Sequence, residues 1–388
     1  MKRILKNAYL LDTLHNYEQA AVLIDDRFIE KVGRDIEDVE AEVIDLKGMT
    51  LMPAFLDAHV HIKPFKGPYS DRIMRALVFN GVAGVKDLGI LDTTSVEEHL
   101  AFIKCNAKHG TLRVTSAGRY IDVEGGYGMG PVPGEEWGIK ISNPQEAADA
   151  VTYLFSAGVN GIKIGISDDA MGMSRGKLTP DEVEAITRRA DQLGIWTTAH
   201  VYRVDDLRML VECGIGEAAH TPNDSLMDES LISMMVERDI PMTTTIGKIT
   251  KDSPLPEHIP PIYASAQEFM DDQLAKKEIT LRNLERFYRG GGRINVGTDL
   301  MRCEDPMKDA TIAVNELMLL RKECNIPMED VIRAGTVNAA RSCRFYDEGV
   351  IRTGNSANLI AFDGKLSDDF HELLDLKFVM NQGIIIRE

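Results

Sequence analysis

Met49-Thr50-Leu51-Met52-Pro53-Ala54-Phe55-Leu56-Asp57-Ala58-His59-Val60-His61 is an apolar run that ends on two histidines two residues apart. Residues at that spacing on a strand point to the same side, so the two imidazoles can face one metal ion together. Later strand-like runs end at or near Lys163, His200, His220 and Asp299, in an order able to complete a metal centre. The competing reading is that these are unrelated polar residues closing strands.

Working outward from this run, strand and helix signals alternate from about Leu51 to Cys343, which argues for parallel β/α units. Strands are expected near Thr50 to Leu56, Val82 to Asp87, Arg113 to Ala117, Gly161 to Ile166, Trp196 to Val201, Ile215 to His220, Met242 to Ile246 and Ile294 to Asp299. Amphipathic helices fit between them. Pro180 to Leu193 is the clearest, opened by Thr179-Pro180-Asp181-Glu182. The expected fold class is α/β, a closed (β/α)8 TIM barrel over residues 49–349. An open doubly wound sheet fits less well, because no GxGxxG turn follows a first strand and the chemical residues come from many strand ends. Barrel enzymes place their sites at the carboxyl ends of their strands.

The ends of the chain read differently. Ile4 to Leu11, Ala20 to Ile24, Phe28 to Val32 and Ala41 to Leu46 are short strand-like runs, as are Gly349 to Arg352, Ala357 to Phe362 and Phe378 to Ile386. Neither end holds enough apolar residues for its own core. Residues 1–48 and 350–388 are therefore expected to meet in one small β-sandwich domain beside the barrel.

Composition limits the partners. The chain has 388 residues, of which 44% are apolar, with no apolar run of membrane-spanning length. Met1 to Leu14 is interrupted by Lys6, Asn7 and Asp12 and lacks the features of a secretory signal, so a cytoplasmic location is expected. Cys105, Cys213, Cys303, Cys324 and Cys343 show no CxxC spacing, which suits reduced packing residues better than disulfides or structural zinc. A net charge of −17 without a basic run argues against nucleic acid or an anionic membrane as partner. It leaves a small-molecule substrate open, and a homo-oligomer is compatible with it.

The order His59-x-His61, Lys163, His200, His220, Asp299 resembles the amidohydrolase superfamily of metal-dependent hydrolases. Met52 to His61 is similar to its first-strand signature. Gly335-Thr336-Val337-Asn338-Ala339-Ala340-Arg341, followed by Gly349, Gly354 and Ala357-Asn358-Leu359, is similar to its terminal segment. Three departures stand out: Ala54 replaces the usual glycine, Ala219 a common glutamate and Asn358 the usual aspartate. The resemblance implies two divalent metal ions, zinc by default with manganese, iron or cobalt also compatible. His59, His61 and Asp299 would hold one ion and His200 and His220 the other, with Lys163 bridging both. A plain ammonium has no lone pair for a metal, whereas a lysine carboxylated by CO2 is an anion with two oxygens. Taken singly, Lys163 also reads as a snorkelling side chain and His200 and His220 as core histidines.

What the resemblance implies chemically is hydrolysis of an amide C–N bond of a small molecule or dipeptide. Metal-activated hydroxide would attack, and Asp299 would accept its proton and pass it to the leaving nitrogen. Ile162-Lys163-Ile164, Ala199-His200-Val201-Tyr202 and Gly125-Gly126 resemble the aminoacyl-proline dipeptidase and imidazolonepropionase-like branch, although Tyr127 stands where histidine is frequent there. A cyclic amide such as an imidazolone, hydantoin or lactam is the nearest rival substrate. Deamination of an amino-heterocycle comes next, then a catalytically silent scaffold. Arg119, Tyr202 and Arg203 are the candidates for binding a substrate carboxylate. The loop Gly125 to Gly130 reads equally as a lid or as a plain connection. His15, His99, His109, His258 and His371 fall outside the pattern as surface or packing residues.

Overall fold

The computed structural model describes residues 1–62, 70–129, 136–166, 176–247, 249–256, 259, 262–301 and 305–388. Gly130, His258 and Cys303 lie outside them. Phe55–Val60 pairs in parallel with Val82–Asp87, which pairs with Arg113–Ser116. The next link is local: Asn160 donates its backbone N–H to the Ser116 carbonyl at 2.9 Å, and its side-chain oxygen accepts from the Ser116 N–H at 3.0 Å. Gly161–Gly165 then runs parallel to Trp196–His200. Single parallel bridges carry the pairing from Ala199 to Ala218 and on to Met242. Met242–Thr243 pairs with Ile294–Asn295, and Leu300 bridges back to Val60.

A helix follows each of these strand positions, from Ser70–Phe79 to Val314–Lys322. Pro180–Gln192 begins as its sequence predicts. The Thr179 hydroxyl accepts from the Glu182 N–H, and the Glu182 carboxylate accepts in return from the Thr179 N–H, two otherwise orphaned donors satisfied at once. One large cluster of buried apolar side chains, including Val85, Ile162, Ile164, Val183, Leu207 and Leu317, joins strands to helices. No helix among the described residues is long and apolar enough to cross a membrane.

The strand expected over Thr50 to Leu56 is two strands. Thr50–Pro53 pairs with Lys2–Leu11 and Leu359–Phe362, whereas Phe55–Val60 pairs with Val82–Asp87. Pro53 has no N–H to continue a ladder, and the Ala54 N–H turns to the Asn358 carbonyl. Both termini contribute to one eight-stranded mixed sheet of order Ile384–Arg387, Phe378–Asn381, Leu359–Phe362, Thr50–Pro53, Lys2–Leu11, Asn16–Asp25, Phe28–Gly33, with Glu42–Asp45 also on Lys2–Leu11. Leu5, Leu10, Val22, Ile29, Leu359 and Phe378 share one apolar cluster within it. The run Phe378 to Ile386 is a hairpin. Gln382 and Gly383 both have positive φ, 48° and 74°, the backbone that matches a two-residue turn to strand twist. Gly349 to Arg352 forms no strand; there the Ile351 N–H is taken by the buried Asp12 carboxylate at 2.7 Å.

Candidate metal centre

His59 is the penultimate residue of Phe55–Val60 and His61 follows directly after that strand, and their ring centroids lie 5.5 Å apart. Asp299 sits beyond Ile294–Asn295 with a φ of 53°, and its N–H donates to the His59 carbonyl at 2.8 Å. A left-handed aspartate is uncommon. Here it turns the carboxylate onto the histidines, with Oδ1 at 3.2 Å from His59 Nε2 and 3.4 Å from His61 Nε2. His200 closes Trp196–His200, and His220 follows the Ala218 bridge. The His220 ring lies 4.7 Å from His59 and 4.5 Å from His200 between centroids. Ligand atoms of His59, His220 and Asp299 all fall within 4.8 Å of one another.

Protonation follows from the partners. His59 Nδ1 meets the Ala219 carbonyl at 2.9 Å and His61 Nδ1 the Gly89 carbonyl at 2.7 Å. A carbonyl only accepts, so each Nδ1 carries the proton and, in the neutral ring, each Nε2 keeps a lone pair. Burial pushes the His59 imidazole down to about 4 and those of His200 and His220 well below their usual value. Burial would raise Asp299, but the histidines, His59 first, hold it well below the carboxylate range. Where the rings are neutral, their lone pairs face a carboxylate oxygen at 3.2 and 3.4 Å, an arrangement that repels unless a proton or a metal ion lies between them.

Lys163 and Lys86 make an instructive contrast. Both are fully buried. Lys86 Nζ donates to Glu217 at 2.7 Å and to Ser342 at 3.2 Å. Lys163 Nζ has no hydrogen-bond partner among the described residues, as is also true of His59 Nε2 and His200 Nε2. Burial lowers the Lys163 amine to about 7. Nothing here resembles a snorkelling ammonium or a satisfied core histidine. Unpartnered nitrogens, a nearby carboxylate and an amine of lowered basicity form a donor set that fits divalent ions.

Several supporting residues escaped the sequence reading. Asp57 is buried in the first strand and accepts from the N–H groups of His59 and Thr298, both at 3.0 Å, and from the Thr298 hydroxyl at 2.6 Å. Burial raises its carboxyl to about 6. Asp87 takes the Ile62 N–H at 3.1 Å and pairs with buried His99 at 2.8 Å. His99 is thus a packing residue with a charged partner. His220 Nδ1 lies 2.9 Å from the Thr245 hydroxyl and 3.2 Å from that of Tyr202. Tyr127 stacks on His200 with centroids 3.6 Å apart and planes inclined by 15°.

The three residues expected to meet a substrate carboxylate have different settings. Tyr202 lies against His200 and His220. Arg119 donates to the carbonyls of Glu136 at 2.8 Å and Asp92 at 3.5 Å, while Arg203 is exposed at the start of Val204–Glu212. The described part of the glycine-rich loop is folded onto Asp122, which accepts from the Gly128 N–H at 2.7 Å. A Cβ on Gly126 would come within 2.2 Å of that carboxylate, so no larger residue fits. Cys105, Cys213, Cys324 and Cys343 are free thiols.

Comparison with known proteins adds a family. The model of the amidohydrolase family matches residues 127–387. An imidazolonepropionase of Picrophilus torridus is 23% identical over 399 residues, 95% of this chain and 93% of that protein. A dihydroorotase of Aquifex aeolicus is 36% identical over 74 residues, and that match spans only 18% of its length and 19% of this chain. Among solved structures, a prolidase complexed with N-methylphosphonate-L-proline superposes with a TM-score of 0.82 at 21% identity, covering 100% of both chains.

Proposed function

We propose, for a chain that belongs to the amidohydrolase family, a metal-dependent hydrolase that cleaves an amide C–N bond of a small molecule or dipeptide. The carrying observation is the set of buried nitrogens that have no hydrogen-bond partner among the described residues, His59 Nε2, His200 Nε2 and Lys163 Nζ, beside an Asp299 oxygen 3.2 Å from His59. In this reading the parallel strand positions form a closed (β/α)8 barrel and the terminal sheet a β-sandwich, with the first boundary near Ala54 instead of 49, because Thr50–Pro53 pairs within the terminal sheet.

His59, His61 and Asp299 would hold one divalent ion and His200 and His220 a second, zinc in the first instance. Lys163 would add a carboxylate to the same set as a carbamate: its neutral amine adds to CO2, forms an N–C bond and releases one proton. Two ions bound there would supply a water of lowered pKa and a polarised substrate carbonyl. Asp299 takes a proton from the attacking water and delivers it to the leaving nitrogen. Thr245 and Tyr202 hold His220, and the Tyr127 ring shields one face of His200 from water. Where a substrate carries a carboxylate, Arg119, Tyr202 and Arg203 are the residues to meet it.

A linear amide is the first reading, supported by the likeness to a prolidase over the full length of both chains. The alignment with an imidazolonepropionase over 95% of this chain favours a cyclic amide as the second. The test is metal analysis with a screen of dipeptides, N-acyl amino acids, cyclic amides and amino-heterocycles, scoring ammonia release separately from amide cleavage. About two divalent ions per chain with amide cleavage is the expected result. Folded protein that takes up no metal, or ammonia from amino-heterocycles without amide cleavage, would overturn it.

A further inference from the structure

We propose that Glu316 is a positioning residue that acts through Thr245 to fix the imidazole of His220, an inference that rests on the metal-centre reading above. Glu316 lies on Val314–Lys322 and is 4% exposed. Its two carboxylate oxygens accept the N–H groups of Ile246 at 2.9 Å and Gly247 at 3.2 Å. The preceding residue, Thr245, has a φ of 42°. That conformation is strained for a β-branched side chain and persists only where its surroundings impose it.

The strained turn delivers one group to the site. Thr245 places its hydroxyl 2.9 Å from His220 Nδ1. For Nε2 to offer a lone pair to a metal, Nδ1 must carry the proton and find an acceptor; the threonine oxygen is that acceptor, with Tyr202 at 3.2 Å on the same nitrogen. A carboxylate suits the other end because two adjacent N–H groups need two acceptor oxygens. Glutamine would set an NH2 against one of them. Asn315 and Lys277 bind the Gly247 carbonyl at 3.0 and 3.4 Å, so the helices behind the segment grip it at several points.

The experiment compares wild type, Glu316→Gln, Thr245→Val, Thr245→Ser and the Glu316→Gln/Thr245→Val double variant at pH 8. Zinc affinity is measured by competition with a chromophoric chelator, beside the far-ultraviolet circular dichroism of each protein. Glu316→Gln and Thr245→Val should each weaken the less tightly held zinc by about ten-fold or more. The double variant should lose no more than the worse single one, because both changes break the same chain of contacts. Thr245→Ser, which keeps the hydroxyl, should restore most of the affinity. Unchanged affinity in folded Glu316→Gln, or losses that add in the double variant, overturns the proposal. If Glu316→Gln does not fold, wild-type affinity in Thr245→Val overturns it. A wild type that binds no zinc instead removes the metal-centre reading itself.

Discussion

Lys163→Met should make the metal-free protein more stable. In protein stripped of metal and bicarbonate, the lysine ammonium is fully buried without a hydrogen-bond partner among the described residues, and burial lowers its pKa from the ordinary 10.5 to about 7. The folded state then binds fewer protons than the unfolded chain between those two values, so stability contributed by this residue rises with pH across that window. Below about pH 7 both states are protonated and the whole penalty is present. At about 1.4 kcal/mol per pKa unit, the displacement amounts to about 5 kcal/mol. Methionine has a similar reach and no charge to bury. Urea unfolding of stripped wild type and Lys163→Met should therefore separate by several kcal/mol at pH 6.5, with the variant more stable, and the gap should close towards pH 10. Zinc and bicarbonate should raise the wild type above the variant, since ligands that bind only the folded state stabilise it. A stripped wild type at least as stable as the variant at pH 6.5, or a gap that does not depend on pH, would refute the reasoning.

Further outcomes are as definite. Asp299→Asn, compared with wild type at saturating metal, should lower turnover by about 10²- to 10⁴-fold, because an amide can offer an oxygen but cannot take a proton; turnover near wild type excludes it as the base. Lys163→Ala should lose activity and at least one zinc, and acetate or propionate should return part of both by supplying the missing carboxylate, a rescue absent from Asp299→Ala. Asn358→Asp should lower stability at pH 7.5, since Asn358 Nδ2 donates to Glu348 at 2.7 and 2.6 Å and the change sets one carboxyl group against another. That cost should ease towards pH 5 as one of the pair takes a proton, and equal urea midpoints for wild type and variant at pH 7.5 would exclude it.

The last of these bears on what the sequence could tell. Asn358 reads there only as a departure from the usual aspartate, whereas in the structure it must donate to Glu348 and also accept from the Gln382 N–H. Aspartate cannot do both when ionised. The strand positions and the histidine pair were legible because apolar runs and two-residue spacing are local properties. The ends of the later strands were not. Ile215 to His220, Met242 to Ile246 and Ile294 to Asp299 each shrink to one or two paired residues; in the last two, Thr245 and Asp299 have positive φ, and neither residue type announces that conformation. Asp57 and Asp87 left a usable trace, a carboxylate inside a largely apolar strand. Glu316 left none, because an acid on an amphipathic helix reads as surface.

The buried acids around the site share one task. Where a strand leaves the ladder to carry a functional side chain inward, its next N–H groups lose their strand partners and would be costly to bury alone. Asp57 takes those of His59 and Thr298, Asp87 that of Ile62, and Glu316 those of Ile246 and Gly247. Asp122 does the same for Val123 and Gly128 beside Tyr127. Asp57 bonds the His59 N–H directly and the others bond chain neighbours of His61, Thr245 and Tyr127, so the strain at Asp299 and Thr245 is held from outside. On the proposed reading, such an arrangement would keep ligand geometry while metal and CO2 come and go. It also explains why changes to these acids are expected to appear in metal affinity before they appear as loss of the fold.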